Sequence, residues 1–496
     1  MIAPRAPLLL ALLALGACNV GPEFQRPGDA DAVNWSTQRG QAPSQALNAP
    51  MEAQWWTLLG DPQLDDLQRR VAATNLDLRE ADARLQQSRA IRQALGGDAM
   101  PNVGAELGYQ RRRNSEVGLN DPSGKAGKDS FNQLDGGFDL SWELDFWGRV
   151  RRELEAADAN VQATEESRRD VLVSVLAETA RNYLQLRAEQ DLEAIIRSNL
   201  EIARRSLELT RLRRTDGVAT ELDVAEALTQ VASIEARLPD SQKRQARLIN
   251  ALGYLLGEAP GALQAELAQA KPVPQPPRGV PVGLPSELAQ RRPDIRRAEA
   301  ALHAATASIG VAKADFYPRI SLNGSFGFQA LQLSNFGDWN SRTFGIGPSL
   351  SLPIFEGGRL KGMLALREAQ QQESAIAYRR TVLNAWREVD DALTDYAAEQ
   401  RRLASLDTAA EHGRTALANA REQYKAGAVD FLNVLSAQRE LLATEEQQVR
   451  GREAVATTLV LLYKSLGGGW QQAEESTQSP KSVSPQGVHE KRPVQK

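Results

Sequence analysis

Two stretches of this chain are long enough, and free enough of helix breakers, to become single helices far longer than those of ordinary globular domains. No proline occurs between Pro122 and Pro239, or between Pro353 and Pro480. Gly148 to Arg214 and Gly358 to Tyr424 are 67 residues each, about 100 Å of helix at ~1.5 Å per residue. Within them Leu172, Leu176, Thr179, Tyr183 and Leu186 step by 4, 3, 4, 3, and Val382, Trp386, Val389, Leu393 and Tyr396 repeat those steps. That spacing is a coiled-coil seam, which must be covered by neighbouring helices along its length. Taken alone it is also compatible with a simple coiled-coil rod.

The two stretches belong to a repeat. Leu140-Ser141 and Leu350-Ser351, Gly148-Arg149 and Gly358-Arg359, and Gly217 and Gly427 are each separated by 210 residues. Upstream, Ala81 and Ala298, Leu85 and Leu302, and Pro101 and Pro318 are separated by 217. The first half therefore carries seven extra residues between Pro101 and Leu140. The polar segment Arg112 to Gln133, rich in Gly, Ser, Asn and Asp, is where a loop tolerates them. Each half reads as helix, two strands, a very long helix and a shorter returning helix.

The strands argue against a rod. Phe138, Leu140, Trp142, Leu144 and Phe146 alternate with Asp139, Ser141, Glu143, Asp145 and Trp147. Phe344, Ile346, Pro348, Leu350, Leu352 and Ile354 alternate with Gly345, Gly347, Ser349, Ser351 and Pro353. Ile320, Leu322, Phe326 and Phe328 alternate with Ser321, Asn323 and Ser325, and Val103, Leu107 and Tyr109 form a weaker version. Period two puts one set on each sheet face. One face is apolar and aromatic and the other polar or small, the pattern of a transmembrane barrel wall. A soluble β-sandwich shares the alternation but gives no reason for a very long helix after each hairpin. Four strands cannot close even the smallest such barrel, of roughly eight, and open edges are not tolerated in lipid. Closure must then come from several chains.

The N-terminus reads as an export signal. Arg5 is its positive region and Leu8 to Leu15 its apolar core, too short to span a bilayer. Leu15-Gly16-Ala17-Cys18 closes the segment with the only cysteine of the chain. This resembles a bacterial lipobox, which implies removal of residues 1–17, an S-diacylglycerol and an N-acyl group on Cys18, and no other cofactor. Asn19, where an aspartate would signal inner-membrane retention, favours the outer membrane.

In order along the chain, the residues resemble the TolC-like outer-membrane efflux proteins, in particular their lipoprotein (NodT-type) branch. The resemblance rests on Cys18, Val20-Gly21-Pro22, Arg26-Pro27, Trp55-Trp56, Asp61-Pro62, Leu64, Ser141-Trp142-Glu143-Leu144-Asp145 and Gly148-Arg149. It continues through Arg291-Arg292-Pro293-Asp294-Ile295-Arg296, Ala298-Glu299, Ile309-Gly310, Tyr317-Pro318, Pro353-Ile354-Phe355, Gly357-Gly358-Arg359, Glu388-Val389 and Ala392-Leu393. It implies a helical protein with transmembrane β-structure: a homotrimer whose twelve-stranded outer-membrane barrel continues into a periplasmic coiled-coil tunnel. The partners it implies are a periplasmic adaptor protein, an RND-type inner-membrane transporter and outer-membrane lipid. The function it implies is passive, gated exit of small molecules, with a type I secretion duct or a structural coiled-coil lipoprotein as alternatives.

The domain reading that follows is a signal at 1–17, a lipidated extension at 18–60, a first repeat at 61–258, a proline-rich link at 259–284, a second repeat at 285–470 and a disordered tail at 471–496. Strands are expected at about 101–112, 134–147, 318–329 and 343–355. Entering helices are expected over Gln63 to Gly97 and Pro285 to Asp315, and returning helices over Thr220 to Leu256 and Phe431 to Leu466.

On the polar strand face, Glu106, Asp139, Glu143 and Asp145 are expected to make the lumen acidic and favour cations. The gate is expected at the tip turns Thr215 to Thr220 and Lys425 to Asp430, where Gly217 and Gly427 allow positive φ. The resemblance places closing contacts at Asp223 and Tyr424, joined as phenol to carboxylate, and an acidic constriction at Asp430. Asp223 also suits a helix first turn, and Asp430 an N-cap. Val429 and Asn433 depart from the family, which puts an arginine at the first position in some members and an aspartate at the second. Arg211, Arg213 and Arg214 read as a solvated helix end with a possible part in docking.

An enzyme is disfavoured. The three histidines, His303, His412 and His489, are far apart, and no metal-ligand cluster, nucleophile-base pair or phosphate-cradling glycine motif is present. The charges, 59 basic against 63 acidic, leave no excess for nucleic acid.

Overall fold

The computed structural model describes residues 19–27, 45–47, 53–115, 129–277, 279–281 and 291–471. Cys18 and the export signal lie outside the described residues, as do 116–128 of the polar loop, 282–290 of the proline-rich link and the tail from 472 onward. The chain divides into two compact units. The first takes in Met1–Ala30, Glu80–Arg168 and Pro293–Asn384, and the second Asp31–Arg79, Arg169–Arg292 and Ala385–Lys496.

The first unit holds a four-stranded antiparallel sheet of β1 (Asn102–Arg112), β2 (Phe131–Glu143), β3 (Arg319–Ala330) and β4 (Arg342–Ser351), in that order. The β1–β2 connection has 18 residues, 113–130, and the β3–β4 connection 11, 331–341, which accounts for the change of offset. Two strand ends differ from expectation. β2 stops at Glu143, so Leu144, Asp145, Phe146 and Trp147 lie beyond the ladder. Leu144 N still donates to the Ile320 carbonyl at 2.8 Å, after which Trp147 stacks on Tyr317 with centroids 4.8 Å apart. β4 stops at Ser351, two residues before Pro353, which has no N–H to offer a ladder.

The entering segment of the first half is two helices, α1 (Pro62–Thr74) and α2 (Leu76–Gly96). The expected single helix breaks at Asn75, whose side chain accepts from Leu78 N at 3.0 Å and donates to the Leu255 carbonyl at 2.8 Å. The long helices are α3 (Arg149–Thr215) and α7 (Arg359–Lys425), 67 residues each, and both pass from the first unit into the second. The first returning segment is also broken, into α4 (Glu221–Glu235) and α5 (Leu238–Leu255), with Pro239 in the first turn of α5. Proline is favoured there because its missing N–H has no helical partner to lose. The second half enters through α6 (Pro293–Ala314) and returns through the unbroken α8 (Phe431–Ser465).

Residues 19–27 run across the first unit as a strap. Val20 N donates to the Trp147 carbonyl at 3.1 Å, Glu23 pairs with the buried Arg152 at 2.7 Å, and Phe24 stacks on His303 at 4.4 Å. A Cβ on Gly21 would lie 2.5 Å from Gly310 Cα, so the strap needs glycine at its closest approach.

The main core lies in the second unit. Leu172, Leu176, Thr179, Tyr183 and Leu186 of the first seam are all buried, as are Val389, Leu393 and Tyr396 of the second. The buried Tyr183 hydroxyl donates to Asp61 at 2.5 Å, and burial followed by that carboxylate pushes its pKa well up. Among the described residues, no helix is long and apolar enough to cross a membrane.

Candidate channel wall and gate

The register sorts the sheet into two chemically different faces. Ala105, Phe138, Phe326 and Phe344 lie opposite one another in one row, and Gly104, Asp139, Ser325 and Gly345 in the next. The aromatic row continues into Leu107, Tyr109, Leu140, Leu322, Ile346 and Leu350 on the same face. Leu107, Phe344 and Ile346 are 79%, 76% and 78% exposed, a large apolar surface that water does not favour. The opposite face carries Glu106, Gly137, Gly327 and Thr343 in register, with serines and further glycines around them. Among the described residues β1 and β4 have no partner on their outer edges.

The four expected luminal acids separate into two kinds. Glu106 and Asp139 are exposed on the polar face and, with Asp135, line a shallow concavity of about 160 Å³ over the Gly137–Gly327 pair. Asp135 was missed because it lies upstream of the alternating run that marks β2, and it accepts from Gln329 at 2.7 Å. Glu143 and Asp145 are held by partners within the chain. Glu143 takes a two-pronged bond from Arg149 at 2.8 and 3.0 Å, and Asp145 accepts from Arg151 N at 2.9 Å. Both carboxylates tie the strand end to the first turn of α3, and their charge is met by arginine. The Gly148-Arg149 pair in the sequence was the available signal.

The two tip turns are built alike. α3 ends where Gly217 N donates to the Arg214 carbonyl at 3.0 Å and Val218 N to the Arg213 carbonyl at 2.8 Å. α7 ends where Gly427 N donates to the Tyr424 carbonyl at 3.0 Å and Ala428 N to the Gln423 carbonyl at 2.9 Å. Both glycines have φ 76°, in the left-handed region that side chains with a Cβ avoid.

Their next helices start differently. Thr220 caps α4 in a capping box: its hydroxyl accepts from Asp223 N at 3.2 Å, and Asp223 accepts from Thr220 N at 2.7 Å. Asp430 stands at the N-cap of α8 with an exposed side chain that makes no cap bond.

The expected Tyr424–Asp223 bond is not formed within the chain. Asp223 is occupied by Thr220, and the buried Tyr424 hydroxyl has no hydrogen-bond partner. The Tyr424 ring packs instead in a small apolar cluster with Phe431, at 5.6 Å, and Leu417, Val434 and Leu435. Its polar neighbour is Arg213, whose guanidinium donates to the Tyr424 carbonyl and lies 4.3 Å from the ring centroid. The sequence marked Arg213 only as one of the run Arg211, Arg213 and Arg214, read as a solvated helix end, because no local pattern places Tyr424 within its reach.

A four-stranded sheet with one apolar exposed face, feeding two 67-residue helices, is an unusual assembly. The family model for outer membrane efflux proteins matches residues 67–258 and 284–468. The chain belongs to the outer membrane efflux protein family. It is 32% identical over 466 residues to the pyoverdine export outer membrane protein OpmQ of Pseudomonas aeruginosa, covering 94% of this chain and 96% of that one. To the outer membrane protein OprJ of the same organism it is 34% identical over 466 residues, covering 94% and 95%. The solved outer-membrane channel OprN superposes with a TM-score of 0.85 at 36% identity, over 92% of this efflux protein and all of that chain. Fold and family membership therefore agree with the resemblance drawn from the motifs.

Proposed function

We propose that this efflux protein is the passive, gated exit duct of a tripartite pump, carrying small molecules across the outer membrane. The observation that carries the reading is the sheet: an exposed aromatic face, a polar glycine-rich face and two unpaired edges. Such a sheet is stable in a membrane only when copies close it, and three copies make twelve strands. In that arrangement Glu106, Asp135 and Asp139 line the passage, and the glycines leave it wide and weakly cation-favouring. The offset of 210 residues and the matching tips at Gly217 and Gly427 support an origin by duplication.

At the other end of the long helices, the tip turns serve as the gate. Asp430 has an exposed carboxylate, and three copies of it around an axis repel one another and attract cations. A periplasmic adaptor and a proton-driven inner-membrane transporter hand over the cargo, as the efflux and export roles named for the relatives suggest. Cys18 carries the lipid, and immediately precedes in sequence the strap whose Val20 N donates to the Trp147 carbonyl.

Conductance of the purified protein in a planar bilayer tests the duct and its gate together. The expected result is a small closed-state conductance that Asp430→Ala alters in size or cation selectivity. No pore at all would overturn the duct, and a pore indifferent to Asp430→Ala would move the constriction elsewhere. Migration of a detergent-resistant trimer that collapses on heating separates a barrel from a coiled-coil rod. For the anchor, an unmodified Cys18 in mass spectra of the mature protein overturns lipidation.

A further inference from the structure

We infer that Arg213 is a clasp that ties the two helical tips of one chain together and so sets how readily the gate opens. The inference rests on the gate reading above and adds a residue and a contact to it. Arg213 lies in the last turn of α3 and serves both tips at once. Its own carbonyl closes the first turn, accepting from Val218 N at 2.8 Å and Ala219 N at 3.2 Å. Its side chain reaches the second tip and donates to the Tyr424 carbonyl, the same oxygen that accepts from Gly427 N.

Electrostatics favours a cation at this point. Two long helices end here, and each carbonyl end is equivalent to roughly half a negative charge. A guanidinium at this point offsets that charge, and it lies over the buried Tyr424 ring at 4.3 Å from the centroid, where a cation is attracted by the π-system. The ring in turn fills the apolar cluster with Phe431 and Leu417. Pulling the second tip from the first therefore breaks a charge-assisted bond, uncovers the ring and takes one cation away from the end of α7. The clasp has only one direction. The residue 210 positions after Arg213 is Gln423, which carries no charge to return the contact.

Farther from the tips, Arg439 donates to Gln230 at 2.9 Å and Arg450 pairs with Glu189 at 2.6 Å. These hold the returning helix α8 against the first half along its length. Arg213 is the contact of this kind that joins the two turns themselves, so its release frees the tips without dismantling the coils.

The test is closed-state conductance of the full-length protein in planar bilayers, with Asp430→Ala run beside the clasp variants. Arg213→Ala is expected to raise the open population about tenfold, the scale of losing one charge-assisted bond and one cation–π contact. Arg213→Lys keeps the charge and loses the fork and flat face, and is expected to fall between the parent and Arg213→Ala. Tyr424→Leu removes the ring but keeps the carbonyl. Its effect and that of Arg213→Ala should be less than additive, because both break one contact.

If Asp430→Ala changes conductance and Arg213→Ala does not, the clasp is wrong and the gate stands. If neither changes it, the gate assignment falls, and the clasp with it. Should Arg213→Ala fail to assemble as a detergent-resistant oligomer, Arg213→Lys decides, and parental conductance in that variant overturns the clasp.

Discussion

The two tips of this chain share one backbone and have diverged in chemistry. Gly217 and Gly427 adopt the same φ of 76°, and each turn closes through the same pair of carbonyls counted back from its glycine. Beyond the glycines the likeness ends. The first tip is closed on itself: Thr220 and Asp223 satisfy each other, and Arg214 pairs with Glu221 at 2.5 Å. The second tip has no side-chain cap, carries a free-standing Asp430, and adds to its own Lys425–Glu422 pair at 2.7 Å a contact from Arg213 of the first tip. Two turns held by different contacts can therefore be made from one template. Local hydrogen bonds keep the first rigid, and contacts from elsewhere hold the second.

Substitution at the glycines attacks what the tips have in common and should have the largest effect. Gly217→Val and Gly427→Val each force a β-branched residue into the left-handed region, costing about 1–2 kcal/mol. Faster amide exchange in the last turn of α3 or α7, of similar size in the two variants, is the expected result. A much smaller effect at one tip would show that its backbone is not under the same constraint.

Next come the caps, where the tips should part company. Thr220→Ala is expected to lose about 1 kcal/mol of local stability at the start of α4. Asp430→Ala should cost only about 0.5 kcal/mol or less at the start of α8, since no cap bond is lost and only the favourable charge at a helix N-terminus goes. Exchange rates of the first-turn amides in α4 and α8 compare the two directly. Equal losses would remove the distinction drawn here.

Recreating the first tip in the second sharpens the comparison from the other side. Asp430→Thr with Asn433→Asp installs the Thr-x-x-Asp box and is expected to gain roughly 0.5 kcal/mol in protection of the α8 N-terminus. The same double variant should also lose the cation selectivity assigned to Asp430. Smallest of all is Tyr424→Phe. The hydroxyl is buried without a partner within the chain, so its removal is expected to be neutral or slightly stabilising in thermal melts of the protein. A clear loss would mean that the hydroxyl finds a partner in the assembled protein.

Much of the architecture was legible in advance because its signals are periodic. The long helices lie within one residue of their expected limits, since proline-free sequence with a 4-3 seam has little else to become. Strand faces were equally readable, because a period of two assigns every side chain once one is known. Breaks were not. Asn75 interrupts a helix by bonding to the carbonyl of Leu255, 180 residues away, and no local pattern announces that. The end of β2 at Glu143 was missed for a related reason: the alternation runs on, but Trp147 leaves the ladder to stack on Tyr317 and donate to the Pro318 carbonyl at 2.8 Å.

The residues of the wall and gate divide along the same line. By itself the sequence determined which positions had to be glycine at the tips, and which strand face was polar and which was aromatic. Those properties depend on backbone geometry and on the period of the chain, both of which are local. Only the tertiary structure decided what each charged or aromatic group at the site does. Glu143 and Asp145 pair with Arg149 and Arg151, Asp223 is half of a capping box, and the Tyr424 ring lies under Arg213. An ionic or aromatic side chain takes its role from whatever the fold brings within about 3–4 Å of it. For Tyr424 and Arg213 that neighbour lies 211 residues away along the chain.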